Sequence, residues 1–218
     1  VTARADKVGV FGGTFDPIHR GHVGVARKAL RTVGLDRVLL VPAEKPPHKL
    51  GRPRASFSDR LAMVRLAVRD EEGLRASDVE GGRKGPSYTV DTLRKLRKSL
   101  GGGVELHLLL GIDSVPELGT WHDVEGLFAG TRFIIAGRPG FPRPGAGATI
   151  PGLRPGQVEA LRLSPFLETR WDVSSTRIRE RAGAGGDVSE WVGEEVAAYI
   201  AARGLYRGKA ERLSRGSR

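Results

Sequence analysis

The sequence predicts an α/β fold, a single doubly wound, Rossmann-like parallel sheet flanked by helices. Three observations carry this. Short apolar runs alternate with stretches whose apolar residues recur every three to four positions, the signature of strand–helix–strand units with right-handed crossovers. The run Val104–Leu110 is almost continuously apolar, as expected of a parallel strand covered on both faces. The first apolar run ends in Gly12-Gly13 and leads through a short loop into a helix, a turn suited to anions.

The first strand is read at Val8–Phe11. Gly12 and Gly13 carry no Cβ and let backbone approach a ligand, and Pro17 stiffens the loop that follows. Gly21 to Val33 reads as a helix with Val23, Ala26, Leu30 and Val33 on one face. The helix start presents amide groups and the positive end of its dipole. His19 and His22 lie about one turn apart, so both imidazoles can donate to phosphate oxygens, with Thr14 and the backbone of Phe15 as further donors.

Arg37–Val41 reads as the second strand. The segment 42–56 is a proline-stiffened loop carrying Lys45, His48, Lys49, Arg52 and Arg54. Phe57–Arg69 has helical periodicity, with Ser56 or Ser58 as its cap. Leu74–Val79 is expected to hold a short strand, and Ser87-Tyr88-Thr89 to cap a helix running to about Leu100. After the strand Val104–Leu110, Gly111-Ile112-Asp113-Ser114 leaves the carboxyl end of the sheet, where open α/β sheets bind ligands. Trp121 to Leu127 is helical, and Arg132–Ala136 is another buried strand. Residues 137–157 are so rich in glycine and proline that no regular element is expected there, which suits a surface segment or a partial lid. Leu161–Thr169 should hold a last short strand. Val173-Ser174-Ser175-Thr176 opens a helix to about Ala182, with Arg179 one turn inward as a second anion site. Ser189–Ala202 is read as one closing helix.

The chain of 218 residues is long enough for one substantial domain, placed at 1–207, with a basic tail at 208–218. There is no cysteine, so disulfides and thiolate metal sites are excluded. No apolar run approaches a membrane span and the N-terminus lacks an apolar signal core, so a cytoplasmic protein with no membrane partner is expected. The net charge of +11 suits anionic partners. A nucleic-acid-binding protein on a nucleotide fold is ranked low, because aromatics do not interleave with the basic residues of any strand.

Singly, a glycine pair after a strand is commonly a turn and a histidine commonly structural. Jointly, Gly-Gly-Thr-Phe-Asp-Pro-x-His-x-Gly-His at 12–22 is specific, and it resembles the signature of the nucleotidyltransferase superfamily. The resemblance extends along most of the chain to bacterial nicotinate-nucleotide adenylyltransferases. It includes Pro46-Pro47-His48-Lys49, Ser87-Tyr88-Thr89 with Thr92-Leu93, and Gly111-x-Asp113-Ser114 with Leu118 and Trp121. It continues through Gly137-Arg138-Pro139-Gly140, Ser174-Ser175-Thr176-x-Ile178-Arg179 and Val196–Tyr206.

That family joins AMP from ATP to nicotinic acid mononucleotide, giving deamido-NAD and pyrophosphate. The resemblance implies that Gly12, Gly13, Thr14, Phe15, His19, His22, Ser175, Thr176 and Arg179 handle ATP, with Gly111 and Asp113 near its nucleoside. His19, His22 and Arg179 are the expected catalytic groups. His48, Lys49, Tyr88, Thr89, Trp121 and Arg138 would meet the mononucleotide. Mg²⁺ is expected to arrive on the ATP phosphates, with no metal ligands from the protein. Nicotinamide mononucleotide, or another phosphate acceptor, is the alternative substrate, and a homo-oligomer is left open. Ala43-Glu44 departs from many relatives, and Glu44 would oppose an anionic substrate unless its charge is screened.

Overall fold

A computed structural model describes residues 4–46, 54–169 and 173–207. Six parallel strands form one sheet: β1 (Asp6–Gly13), β2 (Arg37–Pro42), β3 (Leu74–Ala76), β4 (Val104–Gly111), β5 (Arg132–Ala136) and β6 (Phe166–Leu167). Their order is β3-β2-β1-β4-β5-β6, so the winding reverses between β1 and β4. Alternation along the strands sorts the core into two layers. Val8 and Val10 of β1, Leu39 and Val41 of β2, and Leu106, Leu108 and Leu110 of β4 face one layer. Val38 and Leu40 of β2 and Leu109 of β4 face the other.

The second layer is completed by α1 (Arg20–Val33), α2 (Phe57–Ala67), α6 (Ser175–Gly183), α7 (Ser189–Val192) and α8 (Glu194–Ala202). The first is completed by α3 (Thr89–Leu100), the 3-10 segment Ile112–Thr120, α4 (Val124–Gly130) and α5 (Pro155–Leu163). No helix among the described residues is long and apolar enough to cross a membrane.

Several expected boundaries move. The strand expected over Leu74–Val79 stops at Ala76. Residues 137–157 do contain regular structure, because α5 starts at Pro155. Proline suits the first helical turn, where its missing N–H is not needed, and the Gln157 side chain accepts the Arg154 amide at 2.8 Å. Leu161–Leu163 therefore belongs to α5, and the last strand shrinks to Phe166–Leu167. The closing helix is broken at Gly193, whose φ of 87° interrupts the spiral between α7 and α8. Trp121–His122 is not helical, since α4 starts after Asp123, whose carboxylate accepts the Gly126 amide at 3.0 Å. Neither Tyr88 nor Ser87 caps α3. Tyr88 occupies the cap position without a side-chain bond, and the Ser87 hydroxyl accepts the Lys45 amide at 3.0 Å instead.

Candidate active site

β1 delivers the chain to the point where the winding reverses, the position at which doubly wound sheets open a crevice. A cleft of about 320 Å³ lies there. Gly12, Gly13, Thr14, Phe15, His22 and Ser175 line one part of it, and Ser87, Tyr88, Thr89, Trp121 and His122 another.

The loop after Gly13 is held by an unusual number of contacts. Phe15 is buried with φ of 48°, a left-handed conformation that a side-chain-bearing residue adopts only where its surroundings enforce it. The Arg60 guanidinium, only 1% exposed, donates to Thr14 O at 2.7 Å and to Ala55 O at 3.3 Å. The buried Asp16 carboxylate accepts the amides of Arg54 and Ala55 at 2.8 and 3.1 Å and the Tyr206 hydroxyl at 3.0 Å.

The two helix starts singled out in the sequence meet at this loop. At the head of α1, the rings of His19 and His22 stack at 3.7 Å. Nδ1 of His22 accepts the His19 amide at 3.3 Å, so the hydrogen of the neutral His22 ring belongs on Nε2. His22 also packs against Phe11 and Phe15, at 6.0 and 5.1 Å between ring centres. At the head of α6, the Ser174 hydroxyl caps the helix by accepting the Arg177 amide at 3.3 Å. Ser175 Oγ then donates to Pro17 O at 3.0 Å, and Arg179 Nη1 to Asp16 O at 2.8 Å. Arg179 Nη2 reaches Thr176 Oγ1 at 3.1 Å. Nε of Arg179 and Nδ1 of His19 are buried without a hydrogen-bond partner among the described residues.

His19 is 8% exposed. Burial, together with the nearby Arg138 guanidinium, pushes its pKa from 6.5 down to about 4, so the ring is neutral at physiological pH. The unfolded chain therefore takes up this proton first. The stability contributed by His19 is complete above pH 6.5 and is lost as pH falls towards 4, by at most about 3 kcal/mol. Urea unfolding near pH 7.5 and about pH 5 tests this. The His19→Gln variant should lose about 2 kcal/mol less than the parent between the two conditions, and equal losses would show that His19 titrates normally.

At the other part of the cleft, Tyr88 stacks on His122 at 4.2 Å. The buried Glu80 lines the cleft but is already engaged: Thr92 Oγ1 donates to one of its oxygens and the Glu44 amide to the other at 3.4 Å, with Arg83 Nε at 3.6 Å. The Glu44 carboxylate accepts the Gly82 amide at 3.3 Å, beside the cleft-lining Ala43. A Cβ at Gly111 would meet the Asp113 carboxylate, which would have to turn aside. Asp113 pairs with Arg138 at 3.3 Å. Arg138, expected at the mononucleotide, thus stands with Asp113 and within electrostatic reach of His19. His48 and Lys49 lie outside the described residues.

His122, Glu80 and Arg60 are not singled out by the sequence, and Asp16 and Tyr206 enter it only within longer matching stretches. His122 had one signal, its place beside Trp121. For Arg60 there was none, since an arginine on an amphipathic helix normally reads as solvated.

Residues 10–181 match the family model described as cytidylyltransferase-like. A Gloeobacter violaceus protein named "Probable nicotinate-nucleotide adenylyltransferase" is 41% identical over 92% of this chain and 96% of its own length. A Geobacter sulfurreducens protein of the same name is 37% identical over 92% and 98%. Among solved structures, the Plasmodium falciparum nicotinic acid mononucleotide adenylyltransferase complexed with NaAD superposes with a TM-score of 0.70 at 18% identity, covering 92% of this chain and 97% of that one. That likeness shows the shared fold. With the sheet order, the paired helix starts and relatives that match end to end, the chain belongs to the nicotinate-nucleotide adenylyltransferase family.

Proposed function

We propose that the cleft transfers AMP from ATP to nicotinic acid mononucleotide, with Gly12–Phe15, His19, His22, Ser175, Thr176 and Arg179 holding the triphosphate. The observation that carries this is the convergence of α1 and α6 on one loop. Ser175 and Arg179 both donate to the Asp16–Pro17 backbone, a few residues from His19 and His22. Two helix starts in one place offer a polyphosphate the donors and dipoles it needs.

An oxygen of the mononucleotide phosphate attacks the α-phosphorus in line. A P–O bond forms there, the bond from the α-phosphorus to the bridging oxygen breaks, and pyrophosphate leaves with the electron pair. The attacking phosphate is mostly dianionic at neutral pH, because its second pKa is about 6, so no general base is required. Catalysis then rests on alignment and on neutralising charge as pyrophosphate departs. His22, a donor through Nε2, and Arg179 suit that work. His19, kept neutral by burial, keeps its hydrogen-bonding capacity without adding charge. Mg²⁺ enters with the ATP phosphates and water, where it offsets their charge; among the described residues no group of three or more His, Asp or Glu side chains is placed to hold a metal.

Tyr88, Thr89 and Trp121 line the part of the cleft assigned to the mononucleotide, where an indole face suits a pyridinium cation. Arg138, with Asp113, is grouped with the ATP residues. One observation favours the amide substrate, since the Glu80 carboxylate lines the cleft and would oppose a nicotinate carboxylate. Arg83 at 3.6 Å and the two neutral donors offset part of that charge, which supports the nicotinate reading. Competition between nicotinic acid mononucleotide and nicotinamide mononucleotide at fixed ATP decides the point. The acid should be the better substrate by at least about tenfold in kcat/KM, and equal or better use of the amide would reverse the assignment.

A further inference from the structure

Tyr206 lies just beyond α8, 190 positions from the residue it bonds in sequence. It is buried, and its φ of 70° puts it in the left-handed region. Two non-glycine residues in that costly conformation, Phe15 and Tyr206, thus flank one hydrogen bond, from the Tyr206 hydroxyl to Asp16 Oδ1. Such conformations persist where the surroundings over-determine them, and they gather where positioning matters.

The chemistry of Asp16 makes the bond informative. A buried carboxylate next to a polyphosphate site is a hazard, because it can capture the cations meant for substrate. Here each of its oxygens is occupied by neutral donors: Oδ2 by the Arg54 amide, and Oδ1 by the Ala55 amide and the Tyr206 hydroxyl. Arg60 and Arg179 both lie within electrostatic reach of the Tyr206 hydroxyl. Arg60 donates through Nε and Nη1 to Ala55 O and Thr14 O. Of Asp16, Arg179 touches only the backbone oxygen; its Nη2 reaches Thr176 Oγ1, and its Nε is buried without a hydrogen-bond partner among the described residues. Arg179 is one of the two guanidinium groups within electrostatic reach of the position that the hydroxyl would vacate.

We propose that Tyr206 is a positioning residue for adenylyl transfer, keeping the Asp16 carboxylate satisfied by neutral donors so that Arg179 remains directed at the ATP phosphates. The phenol is suited to the task, because burial and the Asp16 charge push its pKa upward and it stays a donor. The inference rests on the reading of Arg179 as an ATP ligand.

Tyr206→Phe tests it, since the ring and its packing are retained and one donor is lost. Calorimetric titration with Mg-ATP should show a dissociation constant raised about tenfold. kcat/KM for ATP should fall by a similar factor, with the KM for the mononucleotide within about twofold. Ile200→Val, a core change in α8 that leaves Asp16 untouched, should lower the melting temperature while leaving ATP affinity within about twofold. A double-mutant cycle adds the mechanism: on an Arg179→Lys background, Tyr206→Phe should cost far less than on the parent. A Tyr206→Phe protein that melts lower but binds ATP as the parent does would overturn the proposal, as would additive effects in the cycle. ATP titration needs no acceptor, so failure of the mononucleotide assignment would show as lost turnover with the ATP effect intact.

Discussion

His22→Ala should lose turnover by at least about a hundredfold, the cost typical of removing one preorganised donor from a developing negative charge. The imidazole is fixed before substrate arrives. It is stacked on His19 at 3.7 Å, packed against Phe11 and Phe15, and turned by the His19 amide on Nδ1. That last contact makes Nδ1 the acceptor, which leaves Nε2 as the nitrogen for the proposed donor role. The substitution should spare the fold. Position 22 lies in the first turn of α1, where alanine is a good helix former. Steady-state kinetics and a melting curve together check this. Turnover within a few-fold of the parent, in a protein that melts normally, would remove His22 from the reaction.

Arg60→Met should lower stability by about 3 kcal/mol, although arginine-to-methionine changes on a helix surface are usually mild. Arg60 is not on the surface. Its guanidinium sits on the carbonyls of Thr14 and Ala55, near the Asp16 carboxylate, and 5.7 Å over the Phe57 ring. Methionine fills much of the volume but leaves those carbonyls buried without donors and Asp16 with less compensating charge. Desolvation lowers the pKa of the arginine, the mark of a charge held away from water because its acceptors are there. For a chain of this size the melting temperature should fall by about 6–12 °C. Activity should fall more than stability requires, because Thr14 lies in the phosphate-facing loop. A variant as stable as the parent would show that burying the guanidinium costs as much as its bonds return.

The pieces legible in the sequence are those whose chemistry is local. Gly12 to His22 is one contiguous stretch, so strand, turn and helix start could be read together, and Ser174–Arg179 likewise. The strand–helix alternation was enough for the doubly wound sheet. What could not be read depends on distance or on a single residue outweighing its surroundings. The Asp16–Tyr206 bond joins opposite ends of the described chain, and no spacing announces it. Pro155 opened a helix in a stretch whose glycines and prolines otherwise argue against one, and Gly193 split a periodic pattern that looked continuous. The pairing of Arg138 with Asp113, 25 positions apart, is likewise not announced by any local pattern.

The central claim is that one cleft holds ATP and a pyridine mononucleotide for direct transfer. The measurement closest to it is product analysis after incubation with ATP, Mg²⁺ and nicotinic acid mononucleotide. Equal amounts of pyrophosphate and deamido-NAD, formed only when all three are present, are the predicted result. ADP with inorganic phosphate, or no pyrophosphate above the control lacking acceptor, would contradict it.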